Sequence, residues 1–367
     1  MEIALYDPEF GYYASATQRS GRAGDFFTSV DVGAIFGELL ETQIAEMAEW
    51  LGHADSPAAS RPPAGPERWF DLVEAGAGNG RLSADILRAA RARDPRLYQR
   101  TRAHLVEASA AARAAQPATF GDMADRLATS SPELPGRFEG VLLANELLDA
   151  LPVHQVVMRS EGLREVYVEV RDGALATREG PPSTPALGEY LGRLGVQLEP
   201  GWRGEINLRA VAWLQDVARR LTRGFVLLID YGHEARELYS ASHAGGTLTS
   251  FAHHTMRGPE LSGSAEPAWL ANPGAQDITA HVDFTSLRQA ATDAGLDVLG
   301  LLDQTYFLMG LVPRLAHLDR PEAFRQRLAL KTLLLPGGLG STHKVLILGK
   351  GVGTPPLSGC SYRMRVT

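Results

Sequence analysis

Two acids and three glycines carry the first chemical signal in this chain. Glu74 closes a short apolar run, Phe70-Asp71-Leu72-Val73-Glu74, and Gly76, Gly78 and Gly80 follow at alternate positions before a helix-like stretch over 81–93. Glycine lets the backbone take positive φ and lets a ligand come close, because no Cβ intrudes. A strand, a glycine-rich turn and a helix in that order make a nucleotide-cofactor site, with the ligand beyond the carboxyl ends of the strands. The spacing departs from a dinucleotide site. G-x-G-x-x-G counted from Gly76 requires glycine at the position of Arg81. The ribose-binding acid of such a site falls about 20 residues on. Here the acid closing the next strand-like run, Ala103-His104-Leu105-Val106-Glu107, comes later.

A glycine turn of the form E-x-G-x-G-x-G, with an acid ending the following strand, resembles the S-adenosylmethionine site of class I methyltransferases. The cofactor has no phosphates and needs no anion site. It needs glycine beside its amino-acid and ribose portions, and a carboxylate to accept from the two ribose hydroxyls. Glu107 is placed to be that carboxylate; the plain alternative is a tight turn and a solvated acid.

A second pair of acids, Glu146 and Asp149, follows the apolar run Gly140-Val141-Leu142-Leu143-Ala144. They stand three apart, so a helical turn would put both on one face. The competing reading is that Glu146 caps a helix and Asp149 is solvated.

The elements that must position these residues alternate. Strands are expected at 69–74, 103–107, 120–122 and 140–144, with helices at 81–93 and through the alanines to Gln116-Pro117. After a break the pattern resumes, with a helix at 207–221, a strand at 225–230, a helix at 284–294 and strands at 296–302 and 344–348. Such β–α alternation predicts a mostly parallel sheet with helices on both faces. Before it, 1–51 reads as an N-terminal cap with a helical stripe from Val32 to Leu51, and 52–68 as a Pro/Ala/Ser-rich linker. Residues 69–152 form the cofactor-binding half and 153–205 a β-hairpin insertion. Residues 206–350 are the rest of the core, with a long irregular stretch over 233–283, and 351–367 are a tail.

Composition narrows the class. The 367 residues exceed one usual core. A net charge of −7 without a basic block argues against nucleic acid as partner. The single Cys360 excludes an internal disulfide framework. Met1-Glu2-Ile3-Ala4-Leu5-Tyr6 has no signal-peptide pattern, and no apolar run is long enough to span a membrane. The expectation is a soluble, cytoplasmic enzyme with no membrane association.

Further segments carry a resemblance. Leu5-Tyr6-Asp7-Pro8-Glu9-Phe10-Gly11-Tyr12-Tyr13, Gly24-Asp25-Phe26-Phe27-Thr28-Ser29, Ala144-Asn145-Glu146-Leu147-Leu148-Asp149-Ala150-Leu151-Pro152-Val153, Ile229-Asp230-Tyr231-Gly232 and Asp277-Ile278-Thr279-Ala280-His281-Val282-Asp283-Phe284 together resemble the MidA-like family of S-adenosylmethionine-dependent methyltransferases. That family includes the mitochondrial complex I assembly-factor methyltransferase, which symmetrically dimethylates a protein arginine. The chain departs from it at Val30, where the family has proline. It also begins almost at the Leu-Tyr motif, so a missed upstream start is expected.

The resemblance implies a class I methyltransferase fold: α/β, Rossmann-like, with a seven-stranded mostly parallel sheet, an N-terminal extension and a β-rich insertion. It implies S-adenosyl-L-methionine as cofactor, held by Glu74, Gly76, Gly78, Glu107, Asp122 and Asn145. Asp122 would accept from the adenine amino group; as a helix N-cap it would have an ordinary role. The glycine-flanked aromatic loop, with Gly24, Asp25 and Thr28, would fold over the cofactor. His281 would contact substrate by family position. His253, His254 and His281 have no metal-binding spacing, so no metal is expected. Glu146 and Asp149 are the catalytic candidates. The acceptor is expected to be a protein arginine. A guanidinium is protonated in water and is a poor nucleophile; carboxylates binding one side of it would localise its charge there and leave the far nitrogen to attack. A small-molecule O- or N-methyltransferase is one alternative. A cofactor-binding assembly factor, docking through 153–205 or 233–283, is another. The sequence leaves the oligomeric state open.

Overall fold

The computed structural model describes residues 1–15, 28–52, 69–252, 255–258, 267–335 and 342–362. The chain divides into two compact units. One comprises Thr28–Leu147, Gln215–Asp230 and Ala291–Thr367; the other comprises Met1–Phe27, Leu148–Leu214 and Tyr231–Ala290.

The unit that begins at Thr28 is built on seven strands: β1 (Phe70–Ala75), β2 (Thr101–Val106), β3 (Leu127–Ser131), β4 (Phe138–Asn145), β5 (Leu221–His233, its end in the other unit), β6 (Asp297–Asp303) and β7 (His343–Lys350). Their order is β6-β7-β5-β4-β1-β2-β3. β1 pairs in parallel with β2 and β4, β2 with β3, and β4 with β5, while β6 and β7 are antiparallel. Strands covered on both faces read as apolar runs, as residues 225–229 of β5 do; every residue of β1 is buried, Asp71 and Glu74 included. Helix α1 (Ala34–Gly52) contributes Phe36, Leu39 and Ile44 to a core shared with Leu72, Val141 and Phe225. Helices α2 (Arg81–Arg93) and α3 (Ala110–Phe120) add a second cluster, with Ala84, Leu87 and Phe120 against Ala103 and Leu105. This is the class I methyltransferase architecture the sequence predicts.

One expectation is corrected here. Phe120-Gly121-Asp122 closes no strand: α3 runs through Pro117 to Phe120, and a 3₁₀ turn, Gly121–Arg126, precedes β3. Proline near the end of a helix removes one hydrogen bond without stopping the last turn; Gly121, with φ +57°, ends it. Short helices at Gln304–Leu311 and Phe324–Leu334 were also not foreseen.

The other unit holds a four-stranded antiparallel sheet ordered Ala174–Gly180, Gly162–Arg171, His154–Arg159, Arg203–Ile206. Asp172 and Gly173 both have positive φ, the two-residue turn that suits strand twist. The helix Ala186–Leu194 packs Leu187 and Tyr190 with Val156, Ile206 and Tyr239. The stretch expected to be irregular, 233–283, contains a second antiparallel sheet of Thr255–Arg257, Thr249–Ala252 and Asp277–Thr279. Strands of three or four residues are too short for alternation to reveal them. Among the described residues no helix is long and apolar enough to cross a membrane.

Candidate active site

The three glycines of the turn after β1 do different work. Gly76, at φ +71°, donates its N–H to Val106 O at 2.9 Å, and a Cβ there would lie 3.1 Å from Leu147 Cδ1. Gly80, at φ +82°, would put a Cβ 2.8 Å from Leu105 Cδ1. These two make the turn and let it pack. Gly78, at φ +52°, faces open space, with no atom within 4 Å of where a Cβ would stand. It leaves a cradle.

Glu107 sits just past β2. Its Oε2 accepts the Gly78 amide and its Oε1 the Ser109 amide, both at 2.8 Å. Each carboxylate oxygen keeps a further lone pair, so ribose hydroxyls can be accepted as well. Glu74 is buried at the end of β1, where its Oε2 accepts from Ser83 Oγ at 2.5 Å and Ser83 N at 3.1 Å. It thus anchors the first turn of α2, satisfying an amide that a helix start leaves unpaired. Burial pushes its carboxyl up to about 7 against the opposing pull of the Ser83 hydrogen bonds, and the charge of Glu107 adds to the rise. Gln116, fully buried on α3, donates from Nε2 to Gly78 O at 2.8 Å. Ser83 and Gln116 escaped the sequence reading. A lone glutamine in an alanine-rich helix was the available signal.

Thr28 and Asp31 form a capping box at the 3₁₀ helix Ser29–Val32, the Thr28 N–H and Oγ both donating to Asp31 Oδ2. Asp31 Oδ1 lies 3.3 Å from Nη1 of Arg81, the residue that follows the glycine turn. Thr28 is therefore tied to the turn through Asp31, a residue the sequence did not single out. Gly24 and Asp25 lie outside the described residues. Asp122 is exposed and pairs with Arg91 at 2.8 Å. It caps no helix, since Phe120 holds the N-cap position of Gly121–Arg126.

At the end of β4 the side chains of Asn145 and Glu146 meet, Asn145 Nδ2 donating to Glu146 Oε1 at 3.2 Å. Asn145 Oδ1 is buried without a hydrogen-bond partner among the described residues. Glu146 has φ +51°, uncommon for any residue but glycine. The next amide, Leu147 N–H, donates to the buried Asp230 carboxylate at 3.1 Å. This bond and the left-handed backbone hold residues 146–150 as a bend and turn rather than a helix. The expected helical face shared by Glu146 and Asp149 does not exist. His343 Nε2, fully buried on β7, lies 3.5 Å from Glu146 Oε1. Neither Asp230 nor His343 was among the sequence candidates. The first stood in a recognised strand-end motif, and the second had no local signal.

Asp149 belongs to the other unit, where it is buried and its carbonyl accepts from Ala280 N–H at 2.9 Å. There, burial together with Asp277, Tyr6 and Asp149 holds the Tyr13 phenol well above its usual range. His281 lies in the same unit beside His233 and His243, with ring centroids 5.2 and 5.9 Å away. Burial, then those two imidazoles, push His281 down to about 4.

The groups around Gly78 suit S-adenosylmethionine. The open space at Gly78 would admit the cofactor, Glu107 would accept from ribose hydroxyls, and the buried, unpartnered Asn145 Oδ1 would accept from a donor such as an ammonium. The bound cofactor supplies a methyl group on a sulfonium, ready for in-line displacement. The protein supplies orientation and proximity. Residues 46–302 match the model of a family described as S-adenosyl-L-methionine-dependent methyltransferase, and the chain belongs to that family. It is 31% identical to the mitochondrial protein arginine methyltransferase NDUFAF7 of Mus musculus over 91% of this chain and 76% of the relative. The Drosophila melanogaster homolog is 28% identical over 96% and 80%. A methyl transferase candidate of Burkholderia thailandensis, crystallised with S-adenosyl-homocysteine bound, superposes with a TM-score of 0.84 at 30% identity, covering 99% of this chain and 89% of that one.

Proposed function

We propose that this methyltransferase acts on a side-chain nitrogen of arginine in a protein. The observation that carries this reading is Glu146, an acid at the carboxyl end of β4 in a left-handed conformation. Such strain costs about 1–3 kcal/mol and persists where the surroundings hold it, often at functional sites. Its carboxylate is aimed by Asn145 and approached by the buried His343.

A carboxylate there binds one edge of a guanidinium through paired N–H donors. Charge concentrates on that edge, and the far nitrogen regains a lone pair. The cofactor would supply the methyl group to that nitrogen, its sulfur leaving with the electron pair of the broken sulfur–methyl bond. The acceptor nitrogen then sheds one proton, which Glu146 takes, with His343 next in line. The names of the relatives, protein arginine methyltransferase, support the same acceptor.

Incubation of a cell lysate with the enzyme and methyl-labelled cofactor, followed by mass spectrometry, tests the proposal. The expected result is label on arginine in a protein. Label confined to small metabolites would establish a small-molecule enzyme, and no label at all would favour a cofactor-binding assembly factor.

A further inference from the structure

The unit containing residues 231–290 brings together three histidines to which the mechanism proposed above gives no role. His233 ends β5, His243 closes the 3₁₀ turn Ala241–His243, and His281 precedes the short strand Val282–Asp283. One ring nitrogen from each lies within 4.8 Å of the other two. The main chain fixes this convergence: Gly232 and His233 pair in parallel with Val282 and Asp283, and the His281 amide donates to Thr247 Oγ1 at 3.0 Å.

The surroundings orient the rings. His243 Nδ1 lies 3.0 Å from the Glu237 carbonyl oxygen and donates to it, which turns the lone pair of Nε2 outward. His233 Nδ1 lies 3.0 Å from Glu237 Oε1, an ion-pair distance without hydrogen-bond geometry. A carboxylate or carbonyl behind an imidazole is the usual support of a metal-bound histidine, because it sets the tautomer and raises ligand basicity. His281 Nδ1 is buried with no hydrogen-bond partner among the described residues. Buried ring nitrogens normally find one. An imidazole ligates a metal in its neutral form.

We propose that His233, His243 and His281 bind a divalent transition-metal ion, clipping together three segments of this unit and leaving a coordination position open. Three neutral nitrogens without thiolate suit zinc, and also copper, nickel or ferrous iron. Zinc–imidazole bonds of about 2.0–2.1 Å require each ring tip to move inward by only about 1 Å. The proposal is independent of the methyl acceptor and stands or falls apart from it.

Full-length protein, stripped with a chelator and dialysed, should take up one equivalent of Zn²⁺ in a calorimetric titration. His243→Gln and His281→Gln should each weaken binding more than about 100-fold. Glu237→Gln should weaken it about 10–100-fold, the cost of losing a group behind a ligand. The Co²⁺ form of the unaltered protein should show visible d–d bands without a thiolate charge-transfer band, a reading that does not depend on the variants folding. Absence of uptake, a thiolate band, or full affinity in folded His243→Gln and His281→Gln would overturn the proposal.

Discussion

The carboxylate of Glu107 accepts the amide proton of Gly78 at 2.8 Å. The acid just past one strand and the open glycine of the neighbouring turn are therefore one hydrogen-bonded element. Filling the cradle should damage it directly. Gly78→Val places a branched side chain in the space the cofactor needs, at φ +52°. Calorimetry should find no S-adenosylhomocysteine binding to the folded variant. Glu107→Gln keeps the shape and loses the charge. It should weaken binding about 10–100-fold, as expected when a charged acceptor worth about 1.5–3 kcal/mol is neutralised. Unchanged affinity in both would remove the cofactor from this turn.

Gly80 plays the opposite part. Its Cβ would meet Leu105 Cδ1 at 2.8 Å, in a backbone region that side chains rarely occupy. Gly80→Ala should cost about 1–3 kcal/mol of stability. Denaturant unfolding monitored by circular dichroism reports it, and an unmoved midpoint would show that the turn relaxes freely.

Glu74 makes stability depend on pH in an unusual direction for an acid. Its carboxyl is raised to about 7 by burial, from an ordinary value of 4.5. Between those values the folded protein holds a proton that the unfolded chain has released, so stability falls as pH rises. The contribution is complete below 4.5 and gone above about 7. It amounts to about 3 kcal/mol, at 1.36 kcal/mol per pH unit. Glu74→Gln retains an acceptor for Ser83 and should lack this slope. Parallel stability-versus-pH curves for the two proteins across that window would contradict the assignment.

The sequence was legible where chemistry and local geometry coincide. Gly76, Gly78 and Gly80 announce a turn, while the burial of β1 extends to Asp71 and Glu74, which interrupt its apolar residues. Glu107 was readable because the acid ends a strand. What failed depended on partners distant in the chain. The helical placement of Glu146 with Asp149 looked sound from spacing alone, yet Asp230 captures the Leu147 amide across 83 residues and holds the bend. Gln116 reaches back 38 residues to Gly78, and His343 lies on the last strand of the sheet. The histidine cluster was equally hidden. Of the histidines the sequence offers in this stretch, His253 and His254 lie outside the described residues, and His281 alone belongs to the cluster. The three that converge come from separate segments without a metal-binding interval.

The Glu146 carboxylate is the point on which the arginine reading turns, and Glu146→Gln tests it with the least change in shape. Cofactor affinity should stay near that of the unaltered enzyme, since Glu107 and the glycine turn are untouched. Single-turnover methyl transfer to an arginine-containing protein acceptor should fall about 10²-fold or more, the scale seen when one preorganised electrostatic partner is removed. Normal transfer to arginine by Glu146→Gln, with cofactor bound, would contradict the account.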